Sequence, residues 1–217
     1  IEECQQGRER FGLNKLEEVL HQLNDPHKKL SFVHVAGTNG KGSTAAMLSS
    51  VLTKAGYKTG LYTSPHLMRY NERMKINGQD IPDEDFIEAA ETVKKVCDKM
   101  GGIPIVFEIL TLMALWYFAK EQCDIVILEV GIGGRIDATN CIPSPKAAVI
   151  TQLGLDHTET LGDTLEKIAA EKGGIIKPGC YAVMAEQKES AMNVVREICK
   201  QKQVPLTISS ISRMKVL

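Results

Sequence analysis

The stretch Ser31-Phe32-Val33-His34-Val35-Ala36-Gly37-Thr38-Asn39-Gly40-Lys41-Gly42-Ser43-Thr44 constrains this chain more than any other. It reads as a strand, a glycine loop with one lysine, and the start of a helix. Glycines on both sides of Lys41 let the backbone bend tightly and turn its N–H groups inward. A helix opening directly after them adds unpaired N–H donors and a positive dipole end. Together these features make a site for a phosphate group.

The chain has 217 residues, 43% hydrophobic and 24% charged, enough for one large domain with a substantial core. A net charge of −1 and a pI near 6.6 give no global field for nucleic acid or an anionic membrane, so neither partner is expected and any anion must be held locally. Cys4, Cys97, Cys123, Cys141, Cys180 and Cys199 form no C-x-x-C pair. That usage fits reduced thiols in a cytoplasmic protein better than a disulfide framework or a zinc site. The longest apolar run, 103–119, is short for a membrane span and contains Glu108, so it reads as a buried helix.

Asn14 with Glu17 reads as an N-cap pair, followed by Leu13, Leu16, Val19, Leu20 and Leu23 at helical spacing and a stop at Asp25-Pro26. Residues 30–36 form a strand. Beyond the glycine loop, Met47, Leu48, Val51, Leu52 and Ala55 are expected on one buried helix face ending at Gly56. Residues 57–63 read as a second strand, which completes a βαβ unit with a parallel sheet. The polar loop Ser64-Pro65-His66-Leu67 precedes a small hairpin insertion near 72–81 that turns at Asn77-Gly78. Asp83 is expected to cap a helix carrying Phe86, Ala90, Val93, Cys97 and Met100 on one side. After the helix at 105–121, residues 124–130 form a near-continuous apolar strand of the kind covered on both faces. The glycine segment Gly131-Ile132-Gly133-Gly134 follows. Residues 147–151 are another strand, Asp163 with Glu166 marks a helix start, and a strand, a helix and a last strand occupy 181–185, 190–201 and 204–208.

The alternation predicts an α/β domain, doubly wound around a mostly parallel sheet. Ligands in such sheets sit at the carboxyl ends of strands, so the loops after 30–36, 57–63, 124–130 and 147–151 are expected to carry the chemistry. The ends, Ile1 in helix-like sequence and Leu217 in a strand- or loop-like stretch, read as those of a domain from a longer protein.

The loop departs from the usual pattern G-x-x-x-x-G-K-[ST], whose first glycine would fall at Val35 and whose hydroxyl residue would follow Lys41 directly. Here Gly42 comes between Lys41 and Ser43-Thr44. Taken singly, the other polar residues have ordinary explanations. Ser64 before proline is common turn chemistry, a loop histidine such as His157 is commonly just hydrogen-bonded, and Lys172 in a last helical turn complements the dipole. Glu129, near the end of an apolar strand, either pairs internally or faces a metal. Their shared placement at one sheet edge is what raises them.

Gly37-Thr38-Asn39-Gly40-Lys41-Gly42-Ser43, Thr63-Ser64-Pro65-His66-Leu67, Phe107-Glu108, Glu129-Val130-Gly131-Ile132-Gly133-Gly134-Arg135 with Asp137-Ala138-Thr139-Asn140, Asp156-His157 and Glu171-Lys172 together resemble the folylpolyglutamate synthase/dihydrofolate synthase family. That family belongs to the Mur-ligase-like, ATP-dependent amide ligases. The resemblance implies a Mur-ligase central-domain-like fold over 1–217, the N-terminal ATP-binding part of a ligase whose C-terminal, glutamate-binding domain lies beyond it. A fragment of that kind is expected to be inactive alone.

The resemblance further implies that Gly37, Thr38, Asn39, Gly40, Lys41, Gly42, Ser43 and Thr44 hold ATP. Ser64 and Glu129 would bind one Mg²⁺ and His157 a second. Lys172 would carry a carbamate, and Phe107-Glu108 would line the folate pocket, with Lys41, His157 and Lys172 as the catalytic set. The implied partners are small molecules: ATP, L-glutamate, and folate or dihydropteroate, handled by a monomer. The reaction implied is phosphorylation of a substrate carboxylate to an acyl phosphate, then attack by the glutamate amine. Rival readings are a Mur-type ligase acting on a UDP-MurNAc peptide, which lacks T-S-P-H-L, and a non-catalytic nucleotide-binding module. A regulatory GTPase would want an aspartate-based metal strand and an N-K-x-D motif, and neither is present.

Overall fold

In a computed structural model of the chain, residues 8–210 are described, so the readings at Ile1, Cys4 and Leu217 lie outside them. The chain opens with β1 (Arg8–Glu9) and α1 (Gly12–Gln22), then β2 (Phe32–Ala36), α2 (Lys41–Lys54) and β3 (Thr59–Tyr62). The hairpin β4 (Met74–Ile76) and β5 (Gln79–Asp80) follows, then α3 (Asp83–Met100), β6 (Ile103–Pro104), α4 (Val106–Lys120) and β7 (Ile125–Glu129). The last part holds β8 (Ala147–Ile150), the single turn α5 (Thr158–Leu161), α6 (Leu165–Gly173), β9 (Tyr181–Ala185), α7 (Glu189–Lys202) and β10 (Leu206–Ser209). Short 3₁₀ turns occupy Pro26–Lys29, Tyr70–Arg73 and Ala138–Cys141.

Among the described residues the main sheet has eight strands in the order β10-β9-β8-β2-β7-β3-β4-β5. The strands from β10 to β3 pair in parallel, and the hairpin adds an antiparallel edge. β2 is buried along all five residues, as the centre of such a sheet must be. The strands of the expected βαβ unit, β2 and β3, are not neighbours, because β7 lies between them and pairs with both. Val35 stands opposite Glu129 on one side and Val149 on the other. The carboxyl ends of β2, β7 and β8 are thereby brought to one edge, with β3 beside them.

Alternation along β2 splits the core. Phe32 packs with Leu16, Leu20, Tyr62, Leu115 and Phe118 under α1, α3 and α4, and Ala36 joins Ile150, Ala169, Ile176 and Val195 under α6 and α7. Val33 and Val35 face the other way, with Ala45, Leu61 and Ile127 beneath α2. No helix among the described residues is long and apolar enough to cross a membrane.

Helix starts are where local patterns mislead. α1 begins at Gly12 instead of being capped by Asn14. Its first amides, Phe11 N–H and Gly12 N–H, donate to Glu108 at 3.1 and 3.2 Å, and Ile105 N–H at the start of α4 donates to the same carboxylate at 3.2 Å. Asp83 is the first residue of α3 and not its cap, and Thr164, not Asp163, caps α6 by accepting from Lys167 N–H. Met47 and Val51 of α2 point to solvent, since Ala45 and Ser49 with Leu48 and Leu52 form its inner face.

Glu108 is a shared cap for two helices far apart in sequence. Removing it leaves three backbone donors without their acceptor. Glu108→Ala is expected to lower unfolding stability by about 2–3 kcal/mol, and Glu108→Gln by less, in urea denaturation. A loss under roughly 0.5 kcal/mol in the alanine variant would show that water replaces the carboxylate without penalty.

Candidate active site

The glycine loop is shaped from beneath by the end of β8. Thr151 Oγ1 donates to Asn39 O at 2.8 Å, and Gln152 O accepts Thr38 N–H and Asn39 N–H at 2.9 and 3.1 Å. Gly37, at φ +156°, lies so close to Thr151 that a Cβ there would stand 1.8 Å from its hydroxyl oxygen. Only glycine fits. Gly40 is left-handed, α2 begins at Lys41, and no side chain caps that helix start. Its N–H end therefore stays open, as an anion site requires. Lys41 Nζ rests 3.4 Å from Thr38 O.

Glu129 ends β7 and is 4% exposed. Its carboxylate accepts Ser64 N–H at 3.0 Å and is also bonded by Gly42 N–H. Burial raises its pKa, and these two amides and the nearby Lys41 charge pull it back. A Cβ on Gly42 would stand 3.5 Å from both carboxylate oxygens, so the inserted glycine keeps carbon off that side of the acid. Ser64 and Glu129 offer hard oxygen donors, which fits a Mg²⁺ ion held by one or two protein groups with phosphate and water completing its shell. Among the described residues no cluster of three or more His, Cys, Asp or Glu could hold a metal by itself. His157 lines the same cleft as Lys41 and Ser64, half-exposed, in a left-handed conformation.

Lys172 does more than complement a helix dipole. It is 3% exposed and donates to Gly37 O at 2.8 Å. Burial, and then the charge of Lys41, lower its pKa to about 8, against the opposing pull of Asp156 and Asp137. A backbone-to-backbone docking puts it there. A Cβ on Gly134 would be 2.7 Å from Glu171 O, and one on Gly174 would be 2.4 Å from Arg135 Cα. Arg135 N–H donates to Glu171 O at 2.8 Å, and its guanidinium donates to Glu171 Oε1 at 2.7 and 3.0 Å. The loop after β7 and the end of α6 thus close on each other over the phosphate loop.

A cleft of about 610 Å³ is lined by Lys41, Ser64 and His157 together with the apolar Ile105, Phe107 and Ile136. Phe107 lies over Gly131 and 6.0 Å from the ring of Tyr62. Glu108 borders the cleft, with its carboxylate engaged by the helix amides. Sequence reasoning gave no role to Arg10 and Arg73, which also line the cleft. Arg10 donates to Ile136 O at 2.9 Å and Arg73 Nε to His66 Nδ1 at 2.9 Å. Asp137 is a buried carboxylate on the cleft wall to which sequence reasoning gave no separate role. The polar run Asp137 to Asn140 directly after the glycine segment was the available signal for it.

The Mur ligase middle domain family matches residues 35–215. The dihydrofolate synthase/folylpolyglutamate synthase of Bacillus subtilis is 41% identical over 208 residues, covering 92% of this chain and 48% of that protein. A solved FPGS–AMPPCP–folate complex superposes with a TM-score of 0.87 at 37% identity, covering 90% of this chain and 49% of the other. E. coli FolC in complex with DHPP and ADP gives a TM-score of 0.83 at 38% identity, covering 94% and 47%. The chain spans about half the length of these relatives. Matched over 35–215 and sharing that fold, the chain belongs to the Mur ligase middle domain family and is similar within it to the folylpolyglutamate synthases.

Proposed function

We propose that this chain is the ATP-binding part of an ATP-dependent ligase that adds L-glutamate to a folate, or to dihydropteroate. The observation that carries this is one cleft lined both by Lys41 of the glycine loop and by the aromatic Phe107 with Arg10 and Arg73. The relatives solved with AMPPCP and folate, or with DHPP and ADP, support the same pair of ligands. We assign the incoming glutamate to a second domain, a proposal that rests on the greater length of the relatives. We also assign the enzyme to the cytoplasm and to action as a single chain. The described cysteines are buried free thiols, which supports the cytoplasmic reading.

In this reading the loop from Gly37 to Thr44 holds the ATP phosphates, with Lys41 neutralising the β/γ oxygens. The substrate carboxylate in the cleft attacks the γ-phosphorus and ADP leaves. The amine of glutamate then attacks the acyl carbon of the resulting acyl phosphate, and phosphate is expelled as the amide forms. Positioning and charge neutralisation are most of what such a transfer needs. Ser64 and Glu129 would hold one Mg²⁺ and His157 a second, and bound magnesium would offset phosphate charge. Lys172 is suited to carbamate formation. Its lowered pKa leaves neutral amine to attack the carbon of CO₂, with loss of one proton, giving an anionic group beside the phosphate loop.

Phosphate release by the intact protein, given ATP, glutamate and either tetrahydrofolate or dihydropteroate, tests this directly. Lys41→Ala is expected to lower kcat/KM at least about 100-fold. A rate unchanged by that substitution would leave only a binding module, and activity confined to a UDP-linked peptide would move the chain to the cell-wall ligases.

Lys172 makes a second prediction. In bicarbonate-free buffer its folded pKa is about 8 against 10.5 for the free group. The unfolded chain binds more protons between those values, so native stability rises as pH climbs through that window. Lys172→Met should flatten the rise by on the order of 2 kcal/mol in denaturant titrations. Identical slopes in both proteins would show that folding does not lower the pKa of this amine.

A further inference from the structure

His34 and Thr139 have no part in the chemistry assigned above, yet they join its two halves. His34 lies in the middle of β2, fully buried, on the strand that leads into the phosphate loop. Its Nε2 is 2.8 Å from Thr139 Oγ1. Thr139 is also fully buried, and both its hydroxyl and its N–H donate to Asp137 Oδ1, the N–H at 3.0 Å. The other oxygen, Asp137 Oδ2, accepts Ile132 N–H at 3.0 Å, and Gly131 N–H also bonds the carboxylate.

The direction of each hydrogen follows. Burial raises the pKa of Asp137, and the Thr139 hydroxyl and the backbone amides bonded to it oppose that shift. As a carboxylate so bonded it only accepts, and the Thr139 hydroxyl gives its hydrogen to Asp137. The hydroxyl oxygen must then accept from His34, and Nε2 carries the proton. Burial, with the charge of Lys177, pushes the pKa of His34 down to about 3, so the ring is neutral. Nδ1 is left as a bare lone pair, and it has no partner. One tautomer and one polarity run along the chain from His34 through Thr139 to Asp137.

Asp137 closes a loop on itself. It sits at the end of the segment 131–137 and binds amides at its start, and that segment supplies Gly131, Ile132 and Ile136 to the cleft wall. We propose that His34 and Thr139 are positioning residues that fix the Asp137 carboxylate and through it the substrate wall of the cleft. They set affinity for the acceptor substrate and not the rate of phosphoryl transfer. This rests on the reading that the cleft takes a folate or pteroate.

Steady-state kinetics on the intact protein separates the roles. Thr139→Val keeps the shape and removes the hydroxyl, and Thr139→Ser restores it. His34→Leu removes the donor, and His34→Gln returns an amide N–H. Thr139→Val and His34→Leu are expected to raise KM for tetrahydrofolate or dihydropteroate about tenfold, the consequence of an unmade buried hydrogen bond. KM for ATP, kcat and AMPPCP affinity should stay within about threefold, because the phosphate loop keeps its own contacts. Thr139→Ser and His34→Gln should sit near wild type. Equal behaviour of Val and Ser, or a fall in kcat together with ATP affinity, overturns the proposal. So does a result in which Thr139→Val and His34→Leu both fail to fold while their conservative partners fold, since the chain would then serve stability alone. A wild-type protein with no turnover of either acceptor would defeat the functional reading itself, and is distinct from a wild type that turns over while Thr139→Val matches it.

Discussion

The Lys172 amine, whose Nζ donates to the Gly37 carbonyl at 2.8 Å, makes the contact on which the rest of the site depends. Burying a cation next to another cation is unfavourable, and the surrounding backbone enforces it. Gly134 and Gly174 let the loop after β7 meet the end of α6 without side chains between them. Arg135 and Glu171 clamp that contact from outside. Gly37 in turn cannot move away, because Thr151 lies directly beneath it. The ends of β2, β7 and β8 and the end of α6 are thus fixed against one another before any ligand arrives. Such preorganisation favours electrostatic catalysis.

The charges are arranged in an order that suits three anionic ligands. Lys41 faces the cleft with Ser64 and His157, while Glu129 stays buried behind Ser64, its charge bound by backbone amides. A carboxylate so placed attracts a cation without standing in the path of the phosphates. Arg10 and Arg73 sit at the cleft too, positive charge that the carboxylates of the proposed acceptor would meet. Neutral Phe107, Ile105 and Ile136 provide the flat apolar surface an aromatic ring system needs.

Much of this could be read from residue order. Strand–glycine–helix spacing placed the glycine loop between β2 and α2, and the apolar run before Glu129 identified a central strand. The rule that ligands gather at strand carboxyl ends brought Ser64, Glu129 and His157 to one edge. What sequence patterns could not provide were contacts made across the fold. Glu108 lines the cleft, as its pocket reading expected, but sequence did not show that its carboxylate also caps α1, whose local N-cap signal at Asn14 is not used. Met47 and Val51 matched a helical stripe, yet α2 covers the sheet with the smaller Ala45 and with Leu48 and Leu52. β7 entered between β2 and β3 because hydrogen-bond order in a sheet is not encoded by sequence neighbourhood. His34 gave no signal at all, since one polar residue within an apolar strand looks like an accident until its partner Thr139 is found.

The central claim is that a carboxylate bound in this cleft takes the phosphoryl group of ATP. The most direct measurement uses the intact protein with acceptor labelled by oxygen-18 in its reacting carboxylate, followed by mass analysis of the released phosphate. Attack on the γ-phosphorus leaves one carboxylate oxygen bridging carbon and phosphorus, and amide formation breaks the bond to carbon. One labelled oxygen per phosphate, lost when Lys41 is replaced, is the predicted result. Phosphate released without label while the glutamyl product forms would contradict it.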